Sequence, residues 1–275
     1  MVDTAEQTAP EPTPSAPAMT WGDRVRFVLR GVGQTMITLG VVVLLFVVYE
    51  VYVTNYFAER EQKHVTSVLR TEFADPTVKD PLTDPELQLP GQSTPKIPDG
   101  DGIAFLYIPR LGSDYSFAIV QGVNDADLEK GPGHYVGTQL PGEAGNFAIA
   151  GHRVGKGEPF LNLDQLRSGD PVIVQTKSYW YVYAVLGQNG NLAAKDKNGV
   201  PGREIVSPAD GNVLLPVPDD PGATAKSRYM TLTTCHPKFT AQNRMILHAL
   251  LAKKVAVDKA SPLTMPASVK AYYNS

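Results

Sequence analysis

Cysteine is almost absent from this sequence: Cys235 is the only one in 275 residues. No disulfide can form within the chain, and a metal centre built on several thiolates is excluded. A charge excess is missing as well. The 25 Lys and Arg residues nearly balance 28 Asp and Glu, for a formal net charge of -3, which leaves no electrostatic footprint for nucleic acid. No internal repeat is present. No carboxylates cluster at the spacing of a Ca²⁺ loop, and neither a metal nor a cofactor is expected. Histidine is scarce, with five in all. A lone thiol is either a small buried hydrophobe or a reactive group.

What is present is unevenly spread. Residues 1 to about 20 are rich in Ala, Pro, Thr and Glu with few large apolar side chains, a composition that cannot offset its ordering entropy. With Arg24, Arg26 and Arg30 they form an expected disordered, basic segment, 1–31. An apolar run follows, and 32–54 is expected as a transmembrane helix, since about 20 apolar residues span a hydrocarbon core of ~30 Å. Tyr49 and Tyr52 suit the far interface. The run exceeds the ~7–15 residues of a signal peptide and lacks a small-x-small cleavage site. The three arginines favour a cytoplasmic N-terminus. Arg60, Lys63 and Arg70 beyond the run weaken that bias, partly offset by Glu59, Glu61 and Glu72.

Residues 55–102 are read as a stalk and tether, helical up to Phe73 and then extended by Pro76, Pro81, Pro85, Pro90, Pro95 and Pro98, because proline at this density forbids regular helix. From 103 to 257 the texture is all-β. Short β-branched and aromatic runs start at Ile103, Tyr115, Asn146, Pro171, Tyr179, Arg228 and Arg244, with Gly, Pro, Asn and Asp between them. Short helices are expected near Asp125–Glu129 and Phe160–Leu166. So many short strands imply a closed barrel or a sandwich. Residues 258–275 read as a peripheral tail.

Cys235 ends the strand Tyr229–Thr234, where the ladder fixes the thiol's direction and the following loop keeps it accessible. Arg244 opens the next strand, and in an antiparallel hairpin it returns beside Cys235. A guanidinium there favours a thiolate and donates to an oxyanion. An acid/base partner is still needed. His64 lies in the stalk, and His248 sits inside an apolar strand. His236 adjoins the cysteine, but neighbours on extended chain point oppositely. His152 closes the run Asn146–Ala150 and repeats the strand-end logic of Cys235. His152, His134 and His236 remain as candidates, with His152 favoured.

Thr231-Leu232-Thr233-Thr234-Cys235 followed by Arg244 resembles the sortase signature, a TLxTC strand with an arginine on the next strand. Ala150-Gly151-His152-Arg153 is similar to the histidine segment of that family. Gly133-His134-Tyr135, Leu140-Pro141-Gly142 and Cys235-His236-Pro237 resemble the class E, housekeeping branch. The resemblance covers about Gly102 to Val257. It implies an eight-stranded β-barrel behind one N-terminal transmembrane helix, on the extracytoplasmic side of the cell membrane.

It also implies a two-step acyl transfer. The Cys235 thiolate attacks the Thr–Gly carbonyl of a C-terminal Leu-Ala-X-Thr-Gly or Leu-Pro-X-Thr-Gly sorting signal on an exported protein. An amine from a peptidoglycan precursor or a pilin then takes the acyl group, so that proteins become attached to the cell wall. His152 serves as acid and base, and Arg244 holds the oxyanion. Tyr135 is a candidate for reading the second signal position, and Thr234 for shaping the oxyanion site.

Three rivals stand beside this reading. A membrane-tethered cysteine protease uses the same pair but gives the acyl group to water. A non-catalytic wall-binding β-module leaves the placement of His, Cys and Arg as coincidence. A pilin-polymerising sortase often carries an Asp-Pro-aromatic lid, but here Asp75-Pro76, Asp80-Pro81 and Asp84-Pro85 are followed by Thr77, Leu82 and Glu86.

Overall fold

The computed structural model describes residues 20–49, 52, 54–83 and 97–274. The expected disordered segment up to residue 19 lies outside them, as do residues 84–96 of the tether with Asp84-Pro85-Glu86. Helix α1 spans Trp21–Val48 and starts earlier than the apolar run alone suggests. The reason is a reciprocal cap: Thr20 Oγ1 accepts from the Asp23 amide (3.3 Å), and Asp23 Oδ2 accepts from the Thr20 amide (3.2 Å). None of its 28 residues is buried, and it is long and apolar enough to cross a membrane.

The remainder, from Tyr49 onward, forms a second compact unit. Its nine strands are β1 (Gly102–Tyr107), β2 (Ser116–Gln121), β3 (Gly133–His134), β4 (Gly145–Ala150), β5 (Pro171–Gln175), β6 (Tyr179–Val185), β7 (Arg203–Val206), β8 (Arg228–His236) and β9 (Asn243–Ala256). Neighbours run in the order β6-β5-β1-β2-β3-β4-β8-β9, and β6 pairs again with β9, which closes an eight-stranded barrel. The ninth, β7, lies on β9 beside Arg244–Leu247, whereas β6 takes the stretch Ala249–Ala256 of the same strand. This is the expected all-β fold. The interior is filled by side chains of alternate positions, among them Leu106, Phe147, Ile149, Tyr183, Met230, Leu232, Met245 and Leu247. Each strand therefore presents its intervening residues outward.

Residues read as a stalk are instead laid along the barrel. Helix α2 (Thr54–Ala74) buries Ala58, Val65, Leu69 and Phe73, one stripe at helical spacing. Val65, Leu69 and Phe73 pack with Phe105, Ala118 and Val120 of β1 and β2. Gln62 takes the part of a strand neighbour: its Oε1 accepts from the Ala118 amide at 2.7 Å, and its Nε2 donates to the Ala118 carbonyl at 3.2 Å. The C-terminal residues also dock. Val269, on the short helix α3 (Ala267–Lys270), is fully buried against Ile173, Trp180 and Val182.

Candidate active site

Three adjacent strands build the site. Strands β4 and β8 run parallel, with Ala148 beside Thr231 and Ala150 beside Thr233. The Gly151 amide donates to the Thr233 carbonyl at 3.1 Å, so the pairing continues one residue past β4. His152 therefore leaves the sheet at the height of Cys235. Strand β9 runs antiparallel to β8, and Arg244 lies directly opposite Cys235. Directly paired residues share a face. Thr231, Thr233 and Cys235 alternate with the interior Met230 and Leu232, which puts the thiol on the barrel's outer face. The register thus brings His152, Cys235 and Arg244 to one end of one face.

Each of the three retains a group without a partner among the described residues. Cys235 is a free thiol, partly exposed. His152 is half-buried, and its Nε2 is buried without a hydrogen-bond partner. Burial and the nearby Lys156 ammonium push the His152 pKa below its ordinary value, against the opposing pull of Asp125 and Glu129. Neutral imidazole is thus the resting form near neutral pH. Arg244 Nη1 donates to the carbonyls of Ala241 and Asn243, both at 3.2 Å, so Nε and Nη2 remain for other acceptors.

The other candidates are placed differently. His134 is fully buried, with Nδ1 2.9 Å from Gln121 Oε1 and Nε2 3.0 Å from Thr138 Oγ1. Burial pushes its pKa down to about 4. His236 is engaged through Nδ1 by Arg153 at 2.9 Å. Tyr135 stands on the outer face, its hydroxyl 2.9 Å from Thr233 Oγ1, two residues before Cys235. Thr234 points to the opposite face, and its hydroxyl donates to the Gly151 carbonyl at 2.8 Å. It braces the loop of His152.

Two features went unseen in the sequence. Arg153 is buried and reaches the main chain of Cys235. Its signal is only its position after His152. The second feature is a buried network at the far end of the same three strands. Asn146 Nδ2 donates to the Val213 and Leu215 carbonyls, Thr231 Oγ1 donates to Asn146 Oδ1 at 2.7 Å, and His248 connects Thr231 Oγ1 (2.9 Å) with Glu204 Oε1 (3.0 Å). Asp219 joins Glu204, and ligand atoms of Glu204, Asp219 and His248 lie within 4.8 Å of one another. Burial, with the Glu204 carboxylate beside it, pushes the Asp219 pKa up to about 6. The network pins β7 and the loop that follows it to the barrel.

The sortase domain family matches residues 106–252. Sortase SrtE1 of Streptomyces coelicolor is 34% identical over 240 residues, which cover 85% of this chain and 60% of that relative. Sortase SrtE2 of the same organism is 32% identical, over 82% of this chain and 83% of its own length. The SrtF sortase structure from Corynebacterium diphtheriae superimposes with a TM-score of 0.56 at 38% identity, covering 63% of this chain and 94% of that one. The chain thus spans about 60% of the length of SrtE1.

Proposed function

Because the chain belongs to the sortase family, a family of cysteine transpeptidases, we propose that it is a membrane-anchored sortase. In this reading Cys235 is the nucleophile, His152 the acid and base, and Arg244 the oxyanion donor. The observation that carries the proposal is the register of β4, β8 and β9, which sets Arg244 opposite Cys235 and brings the chain to His152 just past the last β4–β8 pair.

The Cys235 thiolate attacks the Thr–Gly carbonyl of a sorting signal, forming a C–S bond while the carbonyl π electrons move to oxygen. Arg244 donates to that oxygen through its free nitrogens, where preorganised donors stabilise charge as it develops. His152, which has taken the thiol proton of Cys235, gives it to the departing Gly nitrogen, the electron pair on oxygen re-forms the carbonyl, and the C–N bond breaks. An incoming amine then attacks the thioester. His152, now neutral, takes the proton from that amine, and the Cys235 thiolate leaves. The unpartnered Nε2 of His152 supports this double role.

The membrane helix is α1, and Arg24, Arg26 and Arg30 near its start favour a cytoplasmic N-terminus with the barrel outside. The partners are exported proteins with a Leu-Ala-X-Thr-Gly or Leu-Pro-X-Thr-Gly signal, and an amine on a peptidoglycan precursor or a pilin. In this reading Tyr135, whose hydroxyl lies 2.9 Å from Thr233 Oγ1, meets the second signal residue.

The test uses the full chain in detergent micelles with peptides that differ only at that second position. An amine acceptor is included or withheld, and products are read by mass spectrometry. Cleavage between Thr and Gly with amine-dependent transfer product is expected. Products of water attack alone, even with the amine in excess, would contradict transfer.

A further inference from the structure

The β4–β8 ladder ends at Gly151, so something else must hold His152 and Cys235 in register beyond it. Arg153 is in position to do so. It follows His152 in sequence, and its side chain is only 4% exposed. A guanidinium keeps its charge under all ordinary conditions, so a buried one is costly unless partnered; among the described residues both Nη atoms of Arg153 have partners and Nε has none. Nη1 donates to the Cys235 carbonyl at 3.2 Å and to His236 Nδ1 at 2.9 Å, and Nη2 pairs with Asp164 Oδ1 at 3.2 Å. Asp164 is the exposed end of this chain and also lies 3.9 Å from Lys238 Nζ.

The direction of these bonds is fixed. A guanidinium only donates, so His236 Nδ1 must accept, which puts the proton of a neutral ring on Nε2. His236 is thereby committed to holding Arg153. Three hydrogen bonds to main-chain carbonyls now join the histidine loop to the cysteine strand. Two lie before the reacting residues: the Gly151 amide to the Thr233 carbonyl, and the Thr234 hydroxyl to the Gly151 carbonyl. The third, from Arg153 to Cys235, lies after them. His152 and Cys235 are bracketed on both sides.

We propose that Arg153 is a positioning residue for acyl transfer: its buried fork, seated by Asp164 and His236, sets the spacing of the Cys235 thiol and the His152 imidazole. The proposal rests on the assignment of those two residues above.

The full chain in detergent micelles carries one thiol, so alkylation by iodoacetamide reports Cys235 alone. Alkylation rate against pH, kcat, KM and Tm are measured for Arg153→Gln, Arg153→Lys and Asp164→Asn. For Arg153→Gln, the alkylation profile should depart from the parent's, because the peptide group of Cys235 loses its tether. Its kcat should fall about 10²-fold, the cost of a displacement near 1 Å, with KM little changed. Arg153→Lys should keep the alkylation profile near the parent yet lose kcat, because a point charge cannot bridge three partners. Asp164→Asn should show a smaller loss of kcat.

A lower Tm with parental alkylation and kcat in Arg153→Gln would leave only a packing role and overturn the proposal. If that variant does not fold, Arg153→Lys and Asp164→Asn decide on the same readings, and parental kcat in both overturns it. His152→Ala separates the two levels of the argument. Full turnover in His152→Ala sinks the site assignment itself. A dead His152→Ala beside a parental Arg153→Gln sinks the role of Arg153 alone.

Discussion

Strands β4, β8 and β9 carry polar groups at both ends of one face, and the two ends are finished in opposite ways. At the lower end Asn146, Thr231 and His248 are buried and bonded to one another or to Glu204. At the upper end His152 keeps a bare Nε2, Cys235 is a free thiol, and Arg244 retains unused donors. The residue types are similar: an imidazole, a hydroxyl or thiol, and an amide or guanidinium. What differs is saturation. A closed polar network rigidifies the sheet and has nothing left to offer a substrate. An open one leaves its capacity for a reaction, at the cost of groups unsatisfied in the resting state.

Variants at the two ends should therefore fail in different ways. The largest effect is expected at the upper end, where His152→Ala should lower kcat about 10²–10⁴-fold with Tm close to the parent. Arg244→Lys comes next. It keeps the charge opposite Cys235 but loses the planar fork, and kcat/KM should fall about 10²–10³-fold. Near-normal turnover in Arg244→Lys would remove the oxyanion role.

At the lower end, His248→Gln should cost stability rather than catalysis. Leaving buried partners unsatisfied costs about 1–3 kcal/mol, read as a lower Tm, while the folded protein keeps its kcat. A kcat loss matching that of His152→Ala would erase the distinction between the ends.

The smallest effect concerns His134, buried and pushed down to about 4. The unfolded chain binds a proton there near pH 6.5 while the folded one refuses it until about 4. Stability from this group is therefore complete above about 6.5 and is lost progressively as pH falls toward 4. His134→Gln should flatten that part of the profile of Tm against pH. An unchanged slope would show that the ring already carries a proton in the fold.

This contrast explains what the sequence could and could not reveal. Short runs such as Phe147–Ile149 and Met230–Leu232 alternate or bury fully, which made the barrel strands legible. Strand β7, only Arg203–Val206 amid Gly and Pro, did not stand out. The buried stripe of α2 was present as Ala58, Val65, Leu69 and Phe73, but its charged neighbours read as a solvated stalk. Periodicity does not say whether an amphipathic face finds a partner. At the site, chain order and strand ends pointed to Cys235, Arg244 and a histidine. They left His134 and His236 as rivals because saturation is a tertiary property. Among the described residues, partners on both ring nitrogens of His134, Gln121 and Thr138, and on Nδ1 of His236, Arg153, set these rings apart from His152 with its unpartnered Nε2. Arg153 lacked any pattern that would mark it as buried.

The most direct test is mass spectrometry of the intact chain after brief mixing with a sorting-signal peptide in the absence of amine. The parent should gain the mass of the peptide up to its threonine, bound as a thioester that an added amine releases. Cys235→Ala, which removes the only thiol, should fold normally and gain nothing. The same acyl adduct on Cys235→Ala would contradict the account.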